Sequence, residues 1–107
     1  MFVRQGSFEV LPGKLDALRE TYAREGMPII RAAPGNLDVY LLEPADGAGQ
    51  VVACTIWQTE EHARAYEASG TAQQVVAKVK GFFAGPPTLR SYHLVRGAVS
   101  PFDLTPR

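Results

Sequence analysis

Seven consecutive residues, Val51-Val52-Ala53-Cys54-Thr55-Ile56-Trp57, are apolar or small on both alternating sets of positions. A strand of that kind belongs in the middle of a sheet, covered above and below, because either face would otherwise expose apolar side chains to water. Two residues later the composition reverses: Thr59-Glu60-Glu61 opens an alanine-rich segment that runs to Ser69-Gly70. Thr59 is a good N-cap, and acidic residues in a first turn complement the partial positive charge of a helix N-terminus. A central strand therefore hands over directly to a helix, and the rest of the chain has to be arranged around that junction.

Before it, "FVRQGSFEV" (2–10) alternates imperfectly and ends in the turn sequence "LPGK", as a first strand would. From Lys14 the period lengthens. Leu15, Leu18 and Tyr22 fall on one helical stripe, with Asp16, Arg19, Glu20 and Arg24 opposite. "GMP" (26–28) should kink or interrupt this helix, since Pro28 cannot continue a hydrogen-bond ladder but can open a further turn. "NLDVYLLE" (36–43) reads as strand two, with Leu37, Val39 and Leu41 on one face, and "PADGAGQ" (44–50) as a hairpin loop. Beyond the Ser69-Gly70 pause, Ala72, Val75, Val76, Val79, Phe82 and Phe83 recur at helical spacing until "GPP" (85–87), and "TLRSYHLV" (88–95) is strand four.

Strand, helix, strand, strand, helix, strand, joined by right-handed crossovers, is an α+β fold: a ferredoxin-like βαββαβ antiparallel sheet with two helices on one face. The opposite face, carrying Tyr, Val and Leu side chains, has nothing in the chain to cover it. A homodimer that packs two such sheets face to face answers that need. One domain is expected over 1–97. The tail 98–107 is apolar at Val99, Phe102 and Leu104 and is expected to dock, with the partner protomer as one candidate surface.

With 107 residues the chain holds one domain, not two. Lys plus Arg and Asp plus Glu both total 11, and this absence of net charge argues against nucleic acid or an anionic membrane as partner. No apolar window is long enough to span a bilayer, and a cytoplasmic protein is the expectation. Cys54 is the sole cysteine, and His62 and His93 have no carboxylate at ligand spacing, so no metal site is expected. No glycine-rich loop follows a strand to open a helix, so nucleotide and flavin cofactors have no support either.

Four features in order carry a family resemblance: the opening strand followed by "PGK", the "PGN" before strand two, the "TIW" closing strand three, and "TEEHARAYEAS" opening the second helix. Over roughly residues 2 to 95 the chain resembles the antibiotic biosynthesis monooxygenase family of dimeric α+β barrels. That resemblance implies a ligand cavity between sheet and helices. Its implied activities range from oxygenation of aromatic phenols or quinols with O2 and no cofactor, through haem degradation, to none known. Family members often carry Glu two residues before the strand-three Trp and His about nine after it; here those positions hold Thr55 and Tyr66. The places where the haem-degrading branch carries Asn, a second Trp and a proximal His hold Gly6, Tyr66 and Val76. The resemblance therefore disfavours haem chemistry for this chain.

On this basis Tyr66, His62 and Arg4 are the candidate catalytic residues, and Trp57, Phe8 and Phe83 the candidate walls for a flat substrate. Tyr66 could hydrogen-bond a substrate oxygen and exchange a proton, or simply pack its ring on the sheet. His62, one turn earlier, could act as base, or face solvent beside Glu61. Trp57 could floor a cavity or belong to the core, and its indole N–H needs a partner, a ligand or Thr59. Arg4 shares a strand face with Gly6 and Phe8. There its guanidinium could stabilise a phenolate or peroxide anion; the bland alternative is an ion pair with Asp38, Glu9 or the partner chain. A ligand-binding or structural dimer without turnover is the rival reading.

Overall fold

The computed structural model describes residues 1–98; the expected docking of the tail concerns residues that, from 99 onward, lie outside the described ones. The elements are β1 (Phe2–Phe8), α1 (Leu15–Thr21), a π-helical turn (Tyr22–Gly26), α2 (Met27–Ala32), β2 (Asn36–Leu42), β3 (Val51–Trp57), α3 (Glu60–Ala68), α4 (Thr71–Val79), a 3-10 turn (Lys80–Phe82) and β4 (Thr88–His93). All strand pairs are antiparallel, in the order β2-β3-β1-β4. This is the ferredoxin-like arrangement, with the helices on one face of an open sheet.

Register determines what each face carries. Phe2 lies opposite Trp57, Arg4 opposite Thr55, Gly6 opposite Ala53 and Phe8 opposite Val51, so these residues share the helix-covered face. Phe2, Phe8, Val51 and Trp57 are buried there against Leu18, Tyr22, Ile30, Ala63, Val75 and Val79. The alternate set, Val3, Val52, Cys54, Ile56, Tyr40, Leu42 and Tyr92, faces away. Tyr40, Leu42 and Tyr92 are more than 40% exposed, at 44%, 48% and 41%. Within one chain β3 is thus covered on one side only, and an apolar sheet face is left open to a partner.

The helical segment between β1 and β2 differs from expectation in an instructive way. "GMP" does not break the helix. The backbone widens by one residue into a π turn, in which the N–H of Met27 reaches the carbonyl of Tyr22, five residues back. Pro28 then sits in the first turn of α2, where its missing N–H leaves no bond unmade. Gly26 closes the turn: a Cβ there would lie 2.8 Å from Cδ1 of the Tyr22 ring and 3.4 Å from Val75. Tyr22 can rest on Gly26 only because that position has no side chain.

The opening junction folds as its sequence predicts. Thr59 caps α3, its side chain accepting the N–H of His62 at 3.2 Å. Gly70, in the left-handed region at φ 86°, makes the corner into α4. Strand four is shorter than expected and exposed throughout. Val76, placed with the core by spacing, is instead 42% exposed, because the space between α4 and β4 is not closed.

Candidate active site

That opening leads into a cavity of about 440 Å³ between the helices and the sheet, the scale of a small-molecule site. β1 contributes Arg4 and Phe8, β3 contributes Thr55 and Trp57, and α3 contributes Tyr66 and Glu67. Tyr22 looks in from the π turn, and Gln73, Val76 and Lys80 of the α4 side, with Leu89 of β4, rim the mouth. Most of the wall is apolar, so polar groups act there with little competition from water.

Trp57 is 1% exposed, and its Nε1–H donates to Thr55 Oγ1 at 2.8 Å. The partner of the indole is thus Thr55, on its own strand, and neither Thr59 nor a ligand is required to satisfy it. The Tyr66 ring stacks on Trp57 with centroids 4.8 Å apart and planes at 36°. Phe8 and Phe83 pack at 4.1 Å and form the opposite aromatic wall. Burial, reinforced by the neighbouring Glu67 carboxylate, pushes the Tyr66 phenol up to about 12. Burial likewise pushes the Tyr22 phenol up, and the nearby Tyr66 adds to the effect. Both hydroxyls remain protonated at neutral pH and act as donors rather than bases.

Arg4 meets the cavity through a network. Its Nη1 donates to Ser91 Oγ at 2.9 Å and its Nη2 to Glu67 Oε1, an ion pair that ties the central strand to α3. Arg4 thus pairs with Glu67 and Ser91. The third donor, Nε, is buried and has no hydrogen-bond partner among the described residues. A buried unpaired donor costs about 1–3 kcal/mol, and a ligand acceptor would remove that cost.

His62 is set apart from this group. It does not line the cavity but a groove between α2 and α3, shared with Ala33, Pro34 and Ser69. Its Nδ1 pairs with the Thr59 hydroxyl at 2.7 Å, and its ring covers Gly35. Tyr66 borders both spaces and separates His62 from the cavity. Arg4, Tyr66, Trp57, Phe8 and Phe83 are thus brought together, and His62 is not.

Two cavity residues escaped the sequence reading. Glu67 lies four residues after the buried Ala63, hence on the stripe of α3 that faces the sheet; that spacing was a usable signal. Tyr22 read as an ordinary core position on the stripe with Leu15 and Leu18, and only the tertiary structure shows that it also borders the cavity. Among the described residues no three His, Cys, Asp or Glu side chains cluster as a metal site would need, and no helix is long and apolar enough to cross a membrane.

An open four-stranded antiparallel sheet, one layer of helices on one side and a ligand-sized cavity between them define an α+β protein of the ferredoxin-like kind. The family model for antibiotic biosynthesis monooxygenase matches residues 1–78, and the chain belongs to that family. Solved structures agree in fold. A Nitrosomonas europaea protein bearing the family's name superposes with a TM-score of 0.74 at 23% identity, over 90% of this chain and 100% of its own. Rv0793 of Mycobacterium tuberculosis gives 0.73 at 20%, covering 92% and 98%. The haem degrader MhuD of the same organism, solved with two haems in its active site, gives 0.76 at 24%, covering 92% and 100%. At such identities the likeness speaks to the fold alone. No protein of curated function matches the sequence.

Proposed function

We propose that the cavity binds a small, flat aromatic phenol or quinol and that the protein oxygenates it with O2, without a cofactor. The observation that carries this reading is that Arg4 and Tyr66, on different elements, both line one apolar cavity of about 440 Å³ walled by Trp57, Phe8 and Phe83. Deprotonation of the phenol makes a ring carbon electron-rich. That carbon adds to O2, and the hydroperoxide formed loses water, so a ring CH2 becomes C=O and the second oxygen atom leaves as H2O. Arg4 would stabilise the phenolate and the peroxide anion, and Tyr66 would donate to a substrate oxygen. Glu67 is the only carboxylate among the described lining residues and the acceptor best placed for the departing proton. His62, behind Tyr66, would contribute only through it.

Haem fits this cavity poorly. Its described lining contains no His, Cys or Met, so a haem iron would find none of the imidazole, thiolate or thioether ligands that commonly hold it. The bare sheet face, with Tyr40, Leu42 and Tyr92 exposed, supports a homodimer joined through that face.

The test is O2 uptake by purified, metal-stripped protein incubated with a panel of anthrones and quinols. Uptake above the buffer rate for at least one member, reduced in the Arg4→Gln variant, is the expected result; none across the panel refutes turnover. A second reading, binding without turnover, draws support from the Tyr66 phenol at about 12, which makes it a poor base at neutral pH. Tight binding with no O2 uptake would favour it.

A further inference from the structure

Tyr66 stands between two spaces. On one side is the cavity; on the other is the groove between α2 and α3, about 520 Å³ in volume and walled mostly by small side chains, Ala32, Ala33, Pro34 and Ala65 among them. Little holds the ring in place. It stacks on Trp57 with centroids 4.8 Å apart, and its hydroxyl bonds to no described residue. A helical side chain has two open χ1 wells, and both lean it back over the preceding turn. For Tyr66 that turn carries His62, four residues earlier on the same stripe of α3. His62, by contrast, is fixed. Its Nδ1 pairs with the Thr59 hydroxyl at 2.7 Å, and its ring lies so close on Gly35 that no Cβ would fit there. The other ring nitrogen, Nε2, has no described partner, and the imidazole forms one wall of the groove.

We infer that Tyr66 is a two-position wall that sets the size of molecule the cavity takes. Stacked on Trp57, it closes the cavity at about 440 Å³. Turned into the groove, it lays its hydroxyl on His62 Nε2 and leaves the face of Trp57 to a larger ligand. A phenol both donates and accepts, so this bond forms with either tautomer of the imidazole. The new bond, together with burial of the ring among the groove's methyl groups, replaces the stacking contact that the move gives up. The inference rests on the proposal that the cavity holds an aromatic ligand. It goes beyond that proposal in giving the groove an occupant, the Tyr66 ring, and in giving the clamped imidazole of His62 a purpose.

The experiment fills the groove. Ala32 and Ala65 line it and are exposed on their helices, so leucine is tolerated at both positions. Two probes, 1-naphthol and 1-hydroxypyrene, carry one hydroxyl each and differ in size. Trp57 is the only tryptophan in the sequence and forms part of the wall, so loss of its emission reports binding. Wild type should bind both probes. The double variant Ala32→Leu, Ala65→Leu should hold 1-naphthol within about twofold and lose at least about tenfold for 1-hydroxypyrene, because a ring that cannot leave must overlap the larger guest. Equal effects on the two probes, or none, overturn the inference and leave the aromatic-cavity proposal intact. So does a wild type that takes 1-naphthol and refuses 1-hydroxypyrene. Binding of neither probe removes the cavity proposal as well. Imidazole nitrogen resonances supply a second measurement, with His93, the other histidine, as the control. In wild type 1-hydroxypyrene should move Nε2 of His62, and in Tyr66→Phe, which lacks the hydroxyl, it should not. No movement in wild type overturns the inference. Equal movement in both proteins overturns it too, since the ligand itself would then fill the groove.

Discussion

Gly35→Ala should unfold this protein far more readily than its place in a surface turn suggests. Gly35 has φ 80°, and its carbonyl accepts the N–H of Gln58 at 2.8 Å, holding the start of β2 to the end of β3. Alanine in the left-handed region costs about 1–2 kcal/mol. The larger cost is steric. An added Cβ would lie 2.6 Å from the Cβ of His62, with the imidazole ring closer still. Moving that ring breaks its 2.7 Å bond to Thr59, worth about 1 kcal/mol. Shifting the packed start of α3 adds about 1–3 kcal/mol, as overpacking typically does. The combined loss of roughly 3–6 kcal/mol is a large part of the 5–15 kcal/mol that holds a domain together. At 4–8 °C per kcal/mol for a domain near this size, Tm should fall by at least about 12 °C. Calorimetry and urea denaturation measure this directly. The control repeats the substitution in a His62→Gly background, which removes the His62 Cβ as well as the ring. There only the backbone cost of about 1–2 kcal/mol should remain, giving a coupling of about 2 kcal/mol or more between the two sites. A loss under about 1 kcal/mol, or an equal loss in both backgrounds, would refute the claim that His62 and Gly35 occupy one space.

The remaining predictions concern charge, protonation and assembly. Glu67→Gln should cost less than about 1 kcal/mol in urea denaturation, and less still in about 0.5 M salt. The reason is that the Arg4 and Glu67 side chains are 26% and 37% exposed; a loss above about 2 kcal/mol would show the pair to be a structural anchor. The Tyr66 pKa is raised from 10.0 to about 12, so its contribution to stability should be whole below pH 10, where folded and unfolded states both hold the proton, and be lost as pH rises toward 12. Tyr66→Phe should lessen that alkaline loss in thermal melts taken across pH 9–12, and an unchanged profile would contradict the assignment. Val52→Asp puts an unpaired charge on the bare sheet face, at a cost of several kcal/mol in any interface formed there. Sedimentation at micromolar concentration should show wild type as a dimer and this variant as a subunit of 11.6 kDa; wild type sedimenting at the subunit mass would remove the proposed assembly.

Periodicity and punctuation decided the secondary structure and, through it, the topology. The run Val51–Trp57, the Thr59 cap and the Ser69-Gly70 corner all act within a few residues, and each folds as its chemistry dictates. Strand parity alone put Arg4, Gly6 and Phe8 on one face. What the chain could not announce were meetings between distant residues. Arg4 and Glu67 are 63 positions apart and pair only because β1 and α3 are laid side by side. The π turn arises where two signals compete, a helical stripe that wants to continue and a Pro28 that cannot donate, and their compromise is visible only once Tyr22 has packed onto Gly26 and Val75. His62 shows the same limit in reverse: one helical turn from Tyr66, it is directed by the curve of α3 over the Gly35 turn and away from the cavity. Local sequence determines which elements form and which way their faces point, because those choices depend on neighbours along the chain. The cavity, its buried unpaired Arg4 Nε and the partners of its charges depend on neighbours in space, and tertiary packing alone decided them.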